Sequence, residues 1–125
     1  MSGQKLSQFA GEKYLNLETY RKNGAAVATP VWFAEDADIL YVYSLADAGK
    51  VKRIRNNPRV RVIPCDIRGK PKGEWVEGRA QFLDAADAKA AHRLLDKKYG
   101  LIKRIGGFYS KLLKRERTTI AIELD

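Results

Sequence analysis

Cysteine and histidine are nearly absent from this sequence: Cys65 and His92 are the only ones. A single thiol excludes an internal disulfide framework and any multi-cysteine zinc site. His92 has no His or Cys companion at ligand spacing, so it reads as a plain surface or half-buried histidine rather than a metal ligand. No apolar run approaches the ~20 residues of a membrane span. The start, MSGQKLSQFAGEKY, has no apolar stretch of the secretory kind, so a cytoplasmic protein is expected. There is neither a phosphate-binding P-loop pattern nor a glycine fingerprint for a dinucleotide. The carboxylate pairs Glu35/Asp36 and Asp36/Asp38 fall in a turn, and Cys65 beside Pro64 reads as a small core hydrophobe. No hydrolytic constellation emerges.

Basic residues, by contrast, are in surplus. Lys and Arg number 24 against 15 acids, a net charge of +9, which favours an anionic partner. The surplus is concentrated in Lys50, Lys52, Arg53, Arg55, Arg59, Arg61, Arg68, Lys70 and Lys72, with Asp66 the one acid among them. At 125 residues and 45% hydrophobic, the chain reads as a single domain, 1–125, with a real core.

Strand patterns dominate. Tyr14 to Tyr20 alternates, with Leu15, Leu17 and Thr19 on one face, as in a half-buried strand. Asn23-Gly24 is a strong hairpin signal, and Ala25 to Phe33 returns from it, with Pro30 marking an edge, a bulge or an opening. Glu35 to Asp38 turns the chain into the strand Ile39 to Ser44. Arg59 to Cys65, Glu74 to Leu83 and Thr118 to Leu124 are further strands, with Gly78 at a bulge or close backbone approach. Helical patterns are Gln4 to Phe9, Lys50 to Arg55, a longer one opened by Asp84 with Ala88, Ala91, Leu95 and Tyr99 on one stripe, and a looser one from Ile102 to Leu112. Short turns between sequential strands imply a mainly β fold with peripheral helices: a six-stranded antiparallel barrel, which hides its strand edges.

The chemistry points to YVYSLADAGKVKRIRNNPRV, beginning at Tyr41. A strand end with hydroxyls, Tyr43 and Ser44, leads through Asp47-Ala-Gly49 into a basic helical turn that Pro58 stops. A helix start with lysines Lys50 and Lys52 suits a phosphate. Trp32, Tyr41, Tyr43 and Trp75 lie on strands, either as packing residues or as a wall for a planar ring. Binding groups without an obvious acid, base or nucleophile suggest chemistry carried by a cofactor. A different class of reading remains open: a small basic barrel binding nucleic acid, which needs Arg53 to Lys72 on one continuous face.

ATPVWF, LYVYS, AGKVKRIRNNPRV and WVEGRAQFLD resemble the split-barrel proteins of the pyridoxamine 5′-phosphate oxidase-like superfamily, and most of all its coenzyme F-420-dependent oxidoreductases. The run K-x-x-x-I-x-x-N-P-R-V after a Tyr-Ser strand end carries the likeness. The resemblance implies an oxidoreductase that transfers a hydride between FMN or the deazaflavin coenzyme F-420 and a small substrate. It also implies a homodimer with cofactor sites at the subunit interface. Thr29, Pro30, Val31 and Trp32 match the strand whose backbone borders the ring. Tyr43 and Ser44 match the phosphate-binding pair, Lys50 the phosphate lysine, and Lys52 a second candidate there. Basic residues that flank this strand in the vitamin B6 oxidases are replaced here by Ala28 or Thr29 and by Phe33, and a C-terminal Arg-x-His segment is missing. The resemblance therefore does not extend to vitamin B6 oxidation. A flavin or tetrapyrrole carrier is the non-catalytic variant of the same reading.

Overall fold

The computed structural model describes residues 6–98 and 117–125. Six strands form a closed barrel: β1 (Tyr14–Tyr20), β2 (Ala26–Asp36), β3 (Ile39–Leu45), β4 (Arg59–Cys65), β5 (Val76–Phe82) and β6 (Arg117–Leu124). Their order around the barrel is β1-β2-β3-β6-β5-β4, every pairing is antiparallel, and β4 returns to β1. A short helix, Gly49–Asn56, joins β3 to β4, and residues 85–98 form a longer helix on the outside. The mainly β barrel expected from the strand patterns is the fold observed. The patterns at Tyr99 and at Ile102 to Leu112 lie outside the described residues.

Alternation sets the interior. Leu15, Leu17, Phe33, Leu40, Val42, Val60, Val62, Ile120 and Ile122 point inward and are fully or almost fully buried. Each such side chain contributes roughly 1.5–3 kcal/mol through removal from water. The short helix adds Val51 and Ile54 to the same core, and Leu6 and Phe9 enter from the N-terminal turn. Phe9 meets Phe33 edge-on, with ring centroids 5.7 Å apart.

Strand β1 departs from expectation. It is covered on both faces, because the chain after β4 folds back over it: Asn16 Nδ2 donates to the Gly69 carbonyl at 2.7 Å. Beside Asn16, Glu18 is also nearly buried on the outer face. Its carboxylate accepts Arg61 Nε at 2.7 Å and the Tyr20 hydroxyl at 3.0 Å. The Arg61 hydrogen bond holds the Glu18 carboxyl below its ordinary value, against the opposing effect of burial. A lowered folded pKa gives stability that is present above the ordinary carboxylate range and lost as pH falls through the folded value. Glu18→Gln is therefore expected to cost on the order of 1 kcal/mol near pH 7. That difference narrows as pH falls below the ordinary carboxylate range, so it is smaller at pH 3 than at pH 7. Urea unfolding at the two pH values checks it, and an equal difference at both would refute the account.

One further boundary differs. β2 runs three residues past Phe33, because the reversal sits at Ala37 and Asp38, both at positive φ (50° and 66°). The short helix starts within the Asp47-Ala-Gly49 stretch: its N-cap is Ala48, with no side-chain hydrogen bond. Asp84 does cap the longer helix, accepting the Asp87 N–H at 2.9 Å.

Candidate functional site

The barrel is not laddered evenly. β1 pairs with β2 along its whole length, from Tyr14↔Trp32 to Tyr20↔Ala26. β2 pairs with β3 only from Phe33↔Val42 to Asp36↔Ile39. Beyond that point Ala26 to Trp32 keep one ladder partner, β1, while Tyr43, Ser44 and Leu45 pair only with β6. The wall thus opens between the two strands, and Pro30, which has no N–H to donate, lies on the open edge as its position in the sequence suggested.

The short helix follows closely on Leu45, the last β3 residue alongside this opening. It leaves β3 through a turn in which Ala48 N–H donates to the Leu45 carbonyl at 3.1 Å. It is tied to the end of β1 by Arg53 Nε, which donates to Thr19 Oγ1 at 2.6 Å. Lys50 lies in its first turn, half-buried, and makes no ion pair among the described residues. Burial, followed by the nearby Arg53 charge, pulls its amine below the ordinary lysine value. Two cations held together without a carboxylate attract an anion.

The eight residues named from the sequence are divided among three places. Thr29 and Val31 take the inward set of β2 positions, Val31 against the core, while exposed Pro30 and half-buried Trp32 take the outer set. These four share a backbone edge rather than a side-chain face. Thr29 Oγ1 is buried and has no hydrogen-bond partner among the described residues. Tyr43 and Ser44 also part: the Ser44 hydroxyl turns inward and donates to the Leu45 carbonyl at 3.2 Å, whereas Tyr43 lies outside beneath the longer helix. Lys50 is half-buried in the short helix, and Lys52 is exposed.

The aromatic residues do not make one wall. Trp32 and Tyr43 pack together around Ala34 and Leu95. Tyr41 lines a groove of about 630 Å³ beside Leu94 and Ala121. Trp75 lies elsewhere, with the Arg61 guanidinium 4.7 Å from its ring centroid. The basic series is likewise broken up. Arg59 pairs with Asp125, Arg61 with Glu18, and Lys72 with Glu12 at 2.7 Å.

Two residues at these places were not among the eight cofactor candidates named from the sequence. Arg53 reaches Thr19 across 34 positions. His92 stands edge-on to Tyr43, ring centroids 4.5 Å apart, with Nε2 3.1 Å from Thr119 Oγ1. Its one legible cue is its place beside Ala91 and three residues before Leu95, on the shoulder of the buried helical stripe. Cys65 is buried, and burial pushes its thiol up to about 11, which makes it inert near neutrality. Among the described residues no group of three or more His, Cys, Asp or Glu could hold a metal ion, and no helix is long and apolar enough to cross a membrane.

The sequence pattern of the family described as pyridoxamine 5′-phosphate oxidase matches residues 3–124. Comparison with curated proteins returns no match. Among solved structures, general stress protein 26 from Bacillus anthracis is 20% identical, with 99% of this chain and 88% of that one covered and a TM-score of 0.69. A FAD-binding protein from Mesorhizobium loti is 16% identical, with coverages of 100% and 88% and a TM-score of 0.67. The heme storage protein HutZ from Vibrio cholerae is 13% identical, with coverages of 98% and 89% and a TM-score of 0.67. At these identities the likeness is one of fold.

Proposed function

The chain belongs to the pyridoxamine 5′-phosphate oxidase family, and from that premise we propose that it is an oxidoreductase using FMN or the deazaflavin coenzyme F-420. The observation that carries the reading is Lys50, a half-buried amine beside Arg53 with no carboxylate partner among the described residues, in the short helix that follows the open end of β3. The chain's own groups fit a ring cofactor with a phosphate. Lys50 and Arg53 would take the phosphate, with Lys52 at the periphery. The open edge of Thr29 to Trp32 would border the ring, and the orphaned Thr29 hydroxyl gives that edge an unspent hydrogen bond. Such a cofactor supplies hydride transfer to or from a small substrate. The protein's part is to hold the phosphate, orient the ring and keep water from it. The coenzyme F-420 assignment rests on the motif run from Lys50 to Val60.

The same reading includes a homodimer with the cofactor at its interface, in the cytoplasm. The outer face of β2, exposed at Ala26, Ala28 and Pro30 beside half-buried Trp32, supports it as a flat, small-residue surface. Light scattering is expected to give twice the 14.1 kDa of one chain; a monomer at micromolar concentration would remove the interface site. A nucleic-acid groove is disfavoured because Arg59, Arg61 and Lys72 are already neutralised.

The deciding experiment is titration of the apoprotein with FMN, coenzyme F-420 and heme, followed by fluorescence and absorbance. Tight binding of a flavin or deazaflavin, with reduced cofactor consumed on substrate addition, supports the enzyme. Heme binding alone would replace it with a tetrapyrrole carrier.

A further inference from the structure

A second cavity, of about 310 Å³, lies at the junction of the two helices with the ends of β5 and β6. None of the eight residues assigned to the cofactor lines it. Its polar groups are Arg55, Asp84, His92, Thr118 and Thr119, and its apolar floor is small, with Ala46, Ala85 and Ala88 leaving room.

The cations and donors here are set rather than scattered. Arg55 is held over the Phe82 ring, 5.5 Å from its centroid, and makes no ion pair among the described residues. His92 is fixed from two sides, by the edge-on Tyr43 ring and by Thr119 Oγ1. Thr119 is buried, 2% exposed, yet its hydroxyl reaches the wall of the cavity. Thr118 adds a second hydroxyl, with no side-chain hydrogen bond among the described residues. The opposing group is Asp84. One of its oxygens is engaged by the Asp87 N–H, and its charge faces the start of a helix, where a carboxylate is stabilised.

We infer that this cavity is a binding site for a compact oxyanion, a phosphate or a phosphate monoester, held by the Arg55 guanidinium, the His92 imidazolium and the Thr118 and Thr119 hydroxyls. A guanidinium and an imidazolium bind such a group through charge-assisted hydrogen bonds. The volume leaves space for a small organic substituent beside the phosphate. The site does not depend on the cofactor assignment, since Lys50 and the edge of β2 take no part in it.

The chain contains one histidine, so its imidazole proton signals in NMR belong to His92 without further assignment. Among the described residues, the charged and titratable groups that share the cavity or the ring contact with His92 are Arg55 from the short helix, Asp84 from the start of its own helix and Tyr43 from β3, while Thr118 and Thr119 of β6 add hydroxyls. Inorganic phosphate, added at constant ionic strength against chloride, is expected to shift the His92 signal along a saturating curve with a midpoint of millimolar or below. Saturating phosphate is expected to raise the His92 pKa by about half a unit or more, because an anion favours the charged ring. Arg55→Gln, at an exposed position, is expected to weaken this binding about fivefold or more, and Thr118→Ala about twofold. Lys50→Ala is expected to leave it unchanged. A shift that Lys50→Ala removes and Arg55→Gln spares would mean that the anion sits at the cofactor's phosphate position, overturning the second site. A linear response that chloride reproduces would overturn it as well. Glycerol phosphate in place of inorganic phosphate separates a monoester site, where it binds tighter, from a bare phosphate site.

Discussion

Replacing Lys50 with alanine is expected to weaken binding of the phosphate-bearing cofactor by about 1–3 kcal/mol, the range of a charge-assisted hydrogen bond. At ~1.4 kcal/mol per decade, this is roughly a 5- to 150-fold rise in Kd. The loss should shrink with added salt, because part of the wild-type affinity is a screened charge term. Lys70→Ala, in the exposed chain between β4 and β5, is the control and should change little. Ser44→Ala should cost less than Lys50→Ala, since its neutral hydroxyl is spent on the Leu45 carbonyl in the free protein. Fluorescence titration at two salt concentrations measures all three. Equal losses at Lys50 and Lys70 would sink the phosphate assignment. The free protein also bears a cost for this lysine. Its folded pKa lies below its ordinary value, so burial of the charge destabilises the fold at neutral pH, and that cost fades only as pH rises to the ordinary lysine range. Lys50→Met should therefore make the apoprotein more stable while it binds worse, a pairing that a purely structural lysine would not give.

The second large effect is expected at Gly78 in β5. A Cβ built there would lie 2.7 Å from the Glu123 carbonyl oxygen and 3.3 Å from Ile122 Cγ2. The nearer atom is backbone of β6, paired with β5 through Gly78↔Leu124 and Arg79↔Glu123, so it cannot swing aside. Gly78→Ala should cost about 1–3 kcal/mol, as overpacking of a fixed neighbour does. For a domain of this size each kcal/mol lowers Tm by roughly 3–6 °C. Thermal and urea unfolding test it, and a variant as stable as wild type would show that the two strands are not held so closely.

What could be read from the sequence was what adjacent residues decide. Arg59–Cys65 forms the strand its alternation marks out, Asn23-Gly24 makes the turn with Gly24 at φ 89°, and Asp84 caps its helix. Gly78 signals a bulge or a close approach, and the structure shows the close approach, to the Glu123 carbonyl. What stayed hidden depends on distant partners. Alternation in β1 marks its inward face, but the cover on its outer face comes from Gly69, 53 residues away. The end of β2 is not legible in the sequence because its turn uses Ala37 at positive φ, a conformation alanine rarely signals. For the site, the motif led to Lys50, a property of neighbours in the chain. Arg53 on Thr19 and His92 on Tyr43 required the barrel to close first.

The half-laddered β2 has a consequence for the protein's behaviour in a crowded solution. A strand edge left without a partner is a template for another molecule's strand, and long flat ones seed aggregation. Pro30 stands in the middle of this edge and cannot donate, so an incoming strand would lose a rung there. Ala26 and Ala28 add little to grip in a cross-strand pairing. The edge therefore offers poor continuity to a polypeptide. The same proline that interrupts the strand thus serves as a gatekeeper, keeping this open edge from becoming the point at which copies of the chain precipitate.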